Sequence, residues 1–310
     1  MKCLICYKPL DSSDTNYHAK CLKKEFGITK MPSIDIDEKE LKSYAKNLIE
    51  ANVAITGVQP KLSLWLDNKK QTIRFTIIDN KSNFIIKPKS KIYRALPENE
   101  DLCMHLASEF GIRTAKHSLV KLRTGSLAYI TQRFDRNNEK KIACEDLCQL
   151  TETLTEHKYR GSCEKVGKTI RKFSTQPGLD ALSFFELVLF SYIIGNADMH
   201  LKNFSMFENE QGGFVLSPSY DLLSTFLVMK NETEQMSLTI NGKKNRISKN
   251  DFDSLAKNLL LNEKQKENVY KKFLNKNSNI DWWINNSFLP EIQKEKLKEL
   301  IDSRIKILNN

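Results

Sequence analysis

The chain has 310 residues, 40% apolar and 28% charged, and a net charge of +11. Those proportions exclude a disordered or collagen-like chain, and at about 150 residues per domain they fit two lobes, with a charge that attracts anions such as phosphorylated ligands or nucleic acid. No run of about 18 apolar residues marks a membrane span and no apolar stretch follows Met1 as a secretory signal would, so the expected setting is the reducing cytoplasm, where seven cysteines stay free, buried or metal-bound.

The spacing predicts an α+β protein with a small cap ahead of two lobes. In residues 1–30, Cys3-x₂-Cys6 and His18-x₂-Cys21 each put two ligands within reach of one ion, which can close a tetrahedral structural Zn²⁺ site; the alternative is four unmetallated, buried side chains. The few lysines here do not single out a nucleic-acid finger. Residues 35–50 read as a charged amphipathic helix, capped by Asp35 or Asp37, with Leu41, Tyr44, Ala45 and Leu48 on one face.

Residues 31–135 form the expected strand-rich lobe. Lys61–Leu66 alternates, Thr72–Ile78 is β-branched, and Phe84–Lys87 is short and apolar. Pro97 opens a helix through Phe110, stopped by Gly111. Lys116–Leu122 and Leu127–Arg133 read as a hairpin about Thr124-Gly125. Residues 136–310 are the expected helical lobe. Leu179–Ile194 is apolar nearly all round, the mark of a buried central helix. Short strands follow near Asn203–Phe207 and Phe214–Leu216, and residues 250–308 hold two to four Lys-rich amphipathic helices. Cys103, Cys144, Cys148 and Cys163 fall in helical patterns as packing residues. A strand-rich lobe followed by a helical one predicts a ligand cleft.

The polar stretch after the buried helix carries the chemistry. Asp198 and Asn203 are separated by four residues, the interval by which a kinase catalytic-loop Asp precedes its metal-binding Asn. Asp221 follows a short strand pair, as a second Mg²⁺ ligand would. The alternative is that both Asp residues cap turns or helices. Lys87 ends an apolar strand where a phosphate-binding lysine would sit, with Glu98 and Glu100 as candidate partners on the next helix; the alternative is a surface lysine. The turn Ala54–Lys61 has one glycine and is no P-loop, yet its backbone, Gln59 and Lys61 could cover phosphates. Backbone groups near Gln132 to Phe134 could receive an adenine, with Phe134 either packing on it or serving as core.

Seven segments, TGVQPKLSL (56–64), FIIKP (84–88), ENEDLCMHLASEFGI (98–112), ITQRFDR (130–136), EDLCQ (145–149), IIGNADMHLKNFS (193–205) and LSPSYDLLS (216–224), together resemble the HipA-like serine/threonine kinases of bacterial toxin–antitoxin systems. The resemblance runs in family order from about 53 to 225. It implies a two-lobed kinase-like fold, ATP with Mg²⁺, and phosphorylation of a protein hydroxyl. Carried over, Asp198 is the catalytic Asp, Asn203 and Asp221 the Mg²⁺ ligands, and Lys87 the phosphate lysine, with Glu100 counted in the nucleotide set. His200 stands where other kinases have a catalytic-loop Lys. Thr56, Gly57, Val58, Gln59 and Lys61 match the phosphate-covering loop, Gln132 and Phe134 the adenine hinge, and Lys202 and Tyr220 accompany the nucleotide set.

The family often autophosphorylates a serine at the position of Ala54, where an alanine accepts no phosphate; Thr56 is then the fallback regulatory site. Only about fifty residues precede the matched core, so the chain resembles the short, HipT-like form, in which a separate small protein supplies the N-terminal subdomain. The implied partners are that protein and a HipB-like helix-turn-helix antitoxin, with DNA engaged only through the antitoxin. The implied substrate is an aminoacyl-tRNA synthetase. A small-molecule phosphotransferase and a non-catalytic DNA-bound corepressor are the competing readings.

Overall fold

The computed structural model describes residues 1–11, 16–31, 34, 37, 39–41, 43, 61–67, 74–77, 82–137, 140–229, 233–275 and 278–309. The expected phosphate-covering turn, with Ala54, Thr56, Gly57, Val58 and Gln59, lies outside them, as does most of the expected 35–50 helix. Its start is described. Asp37 Oδ1 accepts the backbone N–H groups of Lys39 and Glu40 at 2.8 and 2.9 Å, so of the two candidate caps Asp37 is seen to cap.

The chain folds as two compact units. The first comprises residues 1–102, 115–141 and 286–289. Its five-stranded antiparallel sheet contains β1 (Leu62–Asp67), β2 (Arg74–Ile77), β3 (Phe84–Lys87), β4 (His117–Lys121) and β5 (Leu127–Gln132), in the order β2-β1-β3-β5-β4. On β3 the period-two alternation turns Phe84 and Ile86 into the core, with Leu62, Leu64, Leu119 and Ile130. Lys87, the next residue, therefore leaves from the opposite face. The N-terminal residues Leu4, Leu22 and Phe26 pack into this core, and the Phe26 ring meets Phe84 edge-on at 5.6 Å.

The helix Leu96–Glu109 follows β3. It begins one residue before Pro97, consistent with proline's tolerance in a first turn, and Gly111 closes it at φ 67°, a left-handed conformation that favours glycine.

The second unit comprises residues 103–114, 142–285 and 290–310. Its central helix, Pro177–Ile193, starts two residues earlier than the sequence pattern suggested, because proline is preorganised for the first turn. Phe184, Phe185, Leu187, Val188, Leu189, Phe190, Tyr192 and Ile193 are all buried, each contributing about 1.5–3 kcal/mol when an apolar side chain leaves water completely. Asp180 is buried near its start. Its carboxylate accepts from Ser174 Oγ (2.6 Å), Gln176 Nε2 (3.0 Å) and the Leu216 amide (2.8 Å), tying the helix to the strand Phe214–Leu216.

That strand pairs with Ser205–Glu208, which also pairs with Cys144–Asp146. Cys144 is thus a strand residue, not the helical one its neighbourhood suggested; Cys103, Cys148 and Cys163 do lie in helices. The tail forms Lys249–Asn258, Glu263–Leu274, Ser278–Asn286 and Glu291–Asn309.

Candidate active site

In the first unit, Lys87 Nζ donates to Glu100 Oε1 at 2.6 Å, and the two side chains are 9% and 1% exposed. The ammonium also lies 5.5 Å from the Tyr129 ring centre. Of the two carboxylates considered as partners, Glu100 takes the lysine. Glu98 sits about 200° round the helix from it; burial pushes its carboxyl above the usual range.

The segment expected to meet an adenine is held by charge. The Arg133 guanidinium forks Asp135 at 2.9 and 2.7 Å, and Arg136 Nη1 donates to Asp135 Oδ2 at 2.6 Å. Burial alone would raise the Asp135 carboxyl; the two arginines outweigh it and hold it below its ordinary value. Gln132 ends β5 with its amide donating to Lys116 O at 2.8 Å. Phe134 is half-buried in the following turn, and Lys61 half-buried just ahead of β1.

In the second unit, the loop after the central helix is fixed at its base. Gly195 has φ 68°, and a Cβ there would meet Leu300 Cδ2 at 2.6 Å and Phe226 Cβ at 3.1 Å. The Asn196 amide donates to Ser191 O (2.8 Å), and Asn196 Oδ1 accepts the Asp198 amide at 3.1 Å. Thr225 Oγ1 accepts from the Ala197 amide at 2.9 Å while donating to Gly195 O at 3.0 Å. A loop so pinned presents Asp198 in one place.

Asp198 Oδ1 accepts a hydrogen bond from the Tyr159 hydroxyl at 2.7 Å. Sequence reasoning missed Tyr159: it lies 39 positions upstream of Asp198, and no spacing links them. The Lys158 carbonyl beside it receives the Leu201 amide at 3.1 Å, drawing this turn onto the loop. Asn203 makes two contacts. Its Oδ1 accepts the His200 amide at 3.3 Å and its Nδ2 donates to Asp221 Oδ2 at 3.2 Å. Asp198 and Asn203 thus sit on one loop, and Asp221 comes back to it after the strand pair Ser205–Glu208 and Phe214–Leu216.

Asp221 has φ 59°, uncommon for a residue with a Cβ though best tolerated by Asp and Asn. Its neighbour Tyr220 sets it. Ser205 Oγ donates to the Tyr220 hydroxyl at 2.6 Å, and that hydroxyl donates to Lys202 O at 2.9 Å; burial raises its pKa. Ahead of it, the Ser219 amide donates to Arg113 O at 2.7 Å. The Lys202 side chain turns toward Asp146, 3.5 Å away.

His200 is buried beneath the Tyr159 ring edge, 5.0 Å between centres, and its Nδ1 has no hydrogen-bond partner among the described residues. Burial first, then the Lys158 charge, push its pKa down to about 4, so the ring is neutral at pH 7 and carries no charge of its own. Cys3, Cys6, His18 and Cys21 converge at the start of the first unit, on residues separate from this loop. Among the described residues no helix is long and apolar enough to cross a membrane.

Residues 53–280 match the family described as HipA-like C-terminal domain. The chain is 31% identical over 242 residues to a Sinorhizobium fredii protein named "Putative kinase Y4dM", covering 74% of this chain and 58% of that one. It is 30% identical over 193 residues to the serine/threonine-protein kinase toxin HipA of Shewanella oneidensis, covering 56% of this chain and 43% of that one. The chain therefore spans about half the length of these curated relatives. Among solved structures its fold is similar to Shewanella oneidensis HipA, determined with HipB and operator DNA, with a TM-score of 0.67 at 23% identity over 83% of this chain and 65% of that chain. It is also similar to the Helicobacter pylori proinflammatory kinase CtkA, with a TM-score of 0.55 at 16% identity over 79% of this chain and 93% of that one. Because the match runs through the strand and helix bearing Lys87 and Glu100 as well as the segment from Asp198 to Asp221, the chain belongs to the family of HipA-like C-terminal domains.

Proposed function

We propose that the chain is an ATP- and Mg²⁺-dependent serine/threonine protein kinase that serves as the toxin of a toxin–antitoxin pair. The observation that carries the reading is the meeting of Asn203 with Asp221 at 3.2 Å, on a loop whose Asp198 stands five residues before Asn203. The donor set fits the metal: one amide oxygen and one carboxylate are hard ligands of the kind Mg²⁺ takes alongside water and phosphate oxygens. In this reading Asn203 and Asp221 hold Mg²⁺, and bound ATP–Mg²⁺ supplies the transferable phosphoryl group.

The chain's own groups then divide the work. Lys87, oriented by Glu100, offers a fixed positive charge to phosphate oxygens. Tyr159 holds the Asp198 carboxylate through Oδ1, and that carboxylate orients the acceptor hydroxyl and takes its proton as phosphoryl transfer proceeds. His200, neutral at working pH, acts through hydrogen bonding and packing in place of a cationic lysine. Gln132 and Phe134 receive the adenine, and Lys61, Lys202 and Tyr220 complete the nucleotide surroundings.

The substrate is a protein hydroxyl, with an aminoacyl-tRNA synthetase the target that the family suggests; its phosphorylation would halt translation in the cytoplasm. The partners are a HipB-like antitoxin, which brings the complex to DNA, and a separate small protein resembling the family's N-terminal subdomain. Position 54, or Thr56 in its place, is the regulatory site. The Shewanella HipA structure, with HipB and operator DNA, supports the antitoxin partner.

The test is incubation of the chain and of Asp198→Ala with radiolabelled ATP–Mg²⁺ and bacterial lysate. Label on a protein, lost in Asp198→Ala, is the expected result. Label confined to small molecules would overturn the protein-kinase assignment, and no transfer by either chain, with nucleotide still bound, would point to a non-catalytic role.

A further inference from the structure

Nothing in the kinase reading uses the cluster at the N-terminus. The ligand atoms of Cys3, Cys6, His18 and Cys21 all lie within 4.8 Å of one another. His18 Nδ1 is 3.4 Å from Cys6 Sγ and 3.7 Å from Cys21 Sγ. A tetrahedral ion with Zn–S of about 2.3 Å and Zn–N of about 2.0–2.1 Å puts such S···N edges at about 3.6 Å. The three thiols are free, not disulfide-bonded.

The two halves of the cluster are shaped by their own backbone. Cys3 and Cys6 share one tight turn: the Tyr7 amide donates to Cys3 O at 2.9 Å, the Cys3 amide to Lys8 O at 2.9 Å, and Tyr7 has φ 57°. His18 is the N-cap of the helix Ala19–Phe26, with Cys21 in its first turn. The outer ring nitrogen of His18, Nε2, lies 2.9 Å from Pro9 O. That contact requires the proton on Nε2 and leaves the Nδ1 lone pair facing the sulfurs, the orienting contact that metal-bound histidines have.

We propose that Cys3, Cys6, His18 and Cys21 bind one zinc ion, and that the ion locks the turn holding Tyr7 against Asp101. Tyr7 is fully buried, and its hydroxyl donates to Asp101 Oδ2 at 2.6 Å. Asp101 Oδ1 is 2.7 Å from His117 Nδ1 on β4. Asp101 is the residue after Glu100, so the metal-bound turn fixes the part of the helix that holds Lys87. The metal site stands on its own geometry; only its service to Lys87 rests on the kinase reading. Tyr7 is a positioning residue.

The full chain, purified under reducing conditions, is assayed for zinc, then reloaded with Co²⁺. About one zinc per chain and the strong visible bands of tetrahedral thiolate-bound cobalt are expected. His18→Ala should lose the metal, His18→Cys should regain it as a four-cysteine site, and Cys103→Ser should be unaffected. Hydrogen exchange supplies the second readout. Chelation should speed exchange of amides in Leu96–Glu109 by about tenfold, the equivalent of one lost hydrogen bond. Tyr7→Phe should do the same while keeping its metal. No zinc and no cobalt spectrum, or a disulfide among these cysteines, would overturn the site. Metal bound with unchanged helix exchange on chelation would overturn the link to Tyr7. Neither readout requires phosphoryl transfer, so failure of the kinase reading remains separately visible.

Discussion

Replacing Glu100 with leucine should be among the most damaging single changes in the first unit. The Lys87–Glu100 pair is 2.6 Å long with almost no exposure of either side chain. Coulomb's law at an effective dielectric constant of about 20 gives about 6 kcal/mol of attraction at that separation. Desolvating the two charges consumes much of this, so the pair itself adds little net stability. Removing one partner is different, because it takes from the buried Lys87 its 2.6 Å counter-charge; breaking a buried pair in this way costs about 3–5 kcal/mol. Glu100→Leu should therefore lower unfolding stability by that amount in urea titrations. The double variant Lys87→Met/Glu100→Leu, which removes both charges, should recover most of the loss and unfold within about 1–2 kcal/mol of the parent. Phosphoryl transfer should be lost in both. A Glu100→Leu cost below about 1 kcal/mol, or a double variant no better than the single one, would refute the buried-pair argument.

Tyr159→Phe removes the hydrogen bond to Asp198 and should lower kcat about tenfold with the KM for ATP unchanged, read in steady-state assays; an unchanged kcat would remove Tyr159 from the mechanism. Gly195→Ala adds a Cβ against Leu300 and Phe226 at a left-handed position, and should cost about 2–4 kcal/mol in denaturant titrations. His200 is expected to stay unprotonated by NMR until pH falls toward 4. Its unfolded form takes up a proton near the ordinary value of about 6.5, so the unfolded state binds more protons between those values. The folded state should therefore lose stability as pH falls through that window, and His200→Gln should lose less; equal slopes would show that His200 is not the titrating group.

Where local chemistry was sufficient, the residues were legible. The aromatic and β-branched run of Phe84–Lys87 and the three residues Phe214–Leu216 are strands with the boundaries their composition suggested. The interval from Asp198 to Asn203 could be read because one loop carries both. Features set by distant partners were not. Cys144–Asp146 is too short and too charged to show a period, and becomes a strand only because Ser205–Glu208 lies beside it. Glu98 and Glu100 look alike in sequence; helix rotation and packing choose between them. Tyr159 meets Asp198 through a fold-level contact that leaves no trace in spacing.

The way Tyr220, Asp221 and Leu222 are anchored bears on inhibition. In protein kinases the packing of the aromatic residue after the corresponding Asp separates active from inactive states. Here the residue before Asp221 is tied by two hydrogen bonds, and Leu222, after it, is fully buried. Turning this stretch over would break both bonds and extract the leucine, about 4 kcal/mol in all, leaving a reversed form in about one molecule per thousand. Compounds that select an inverted form of this segment would forfeit that free energy from their affinity, which favours ligands that accept the segment as it stands.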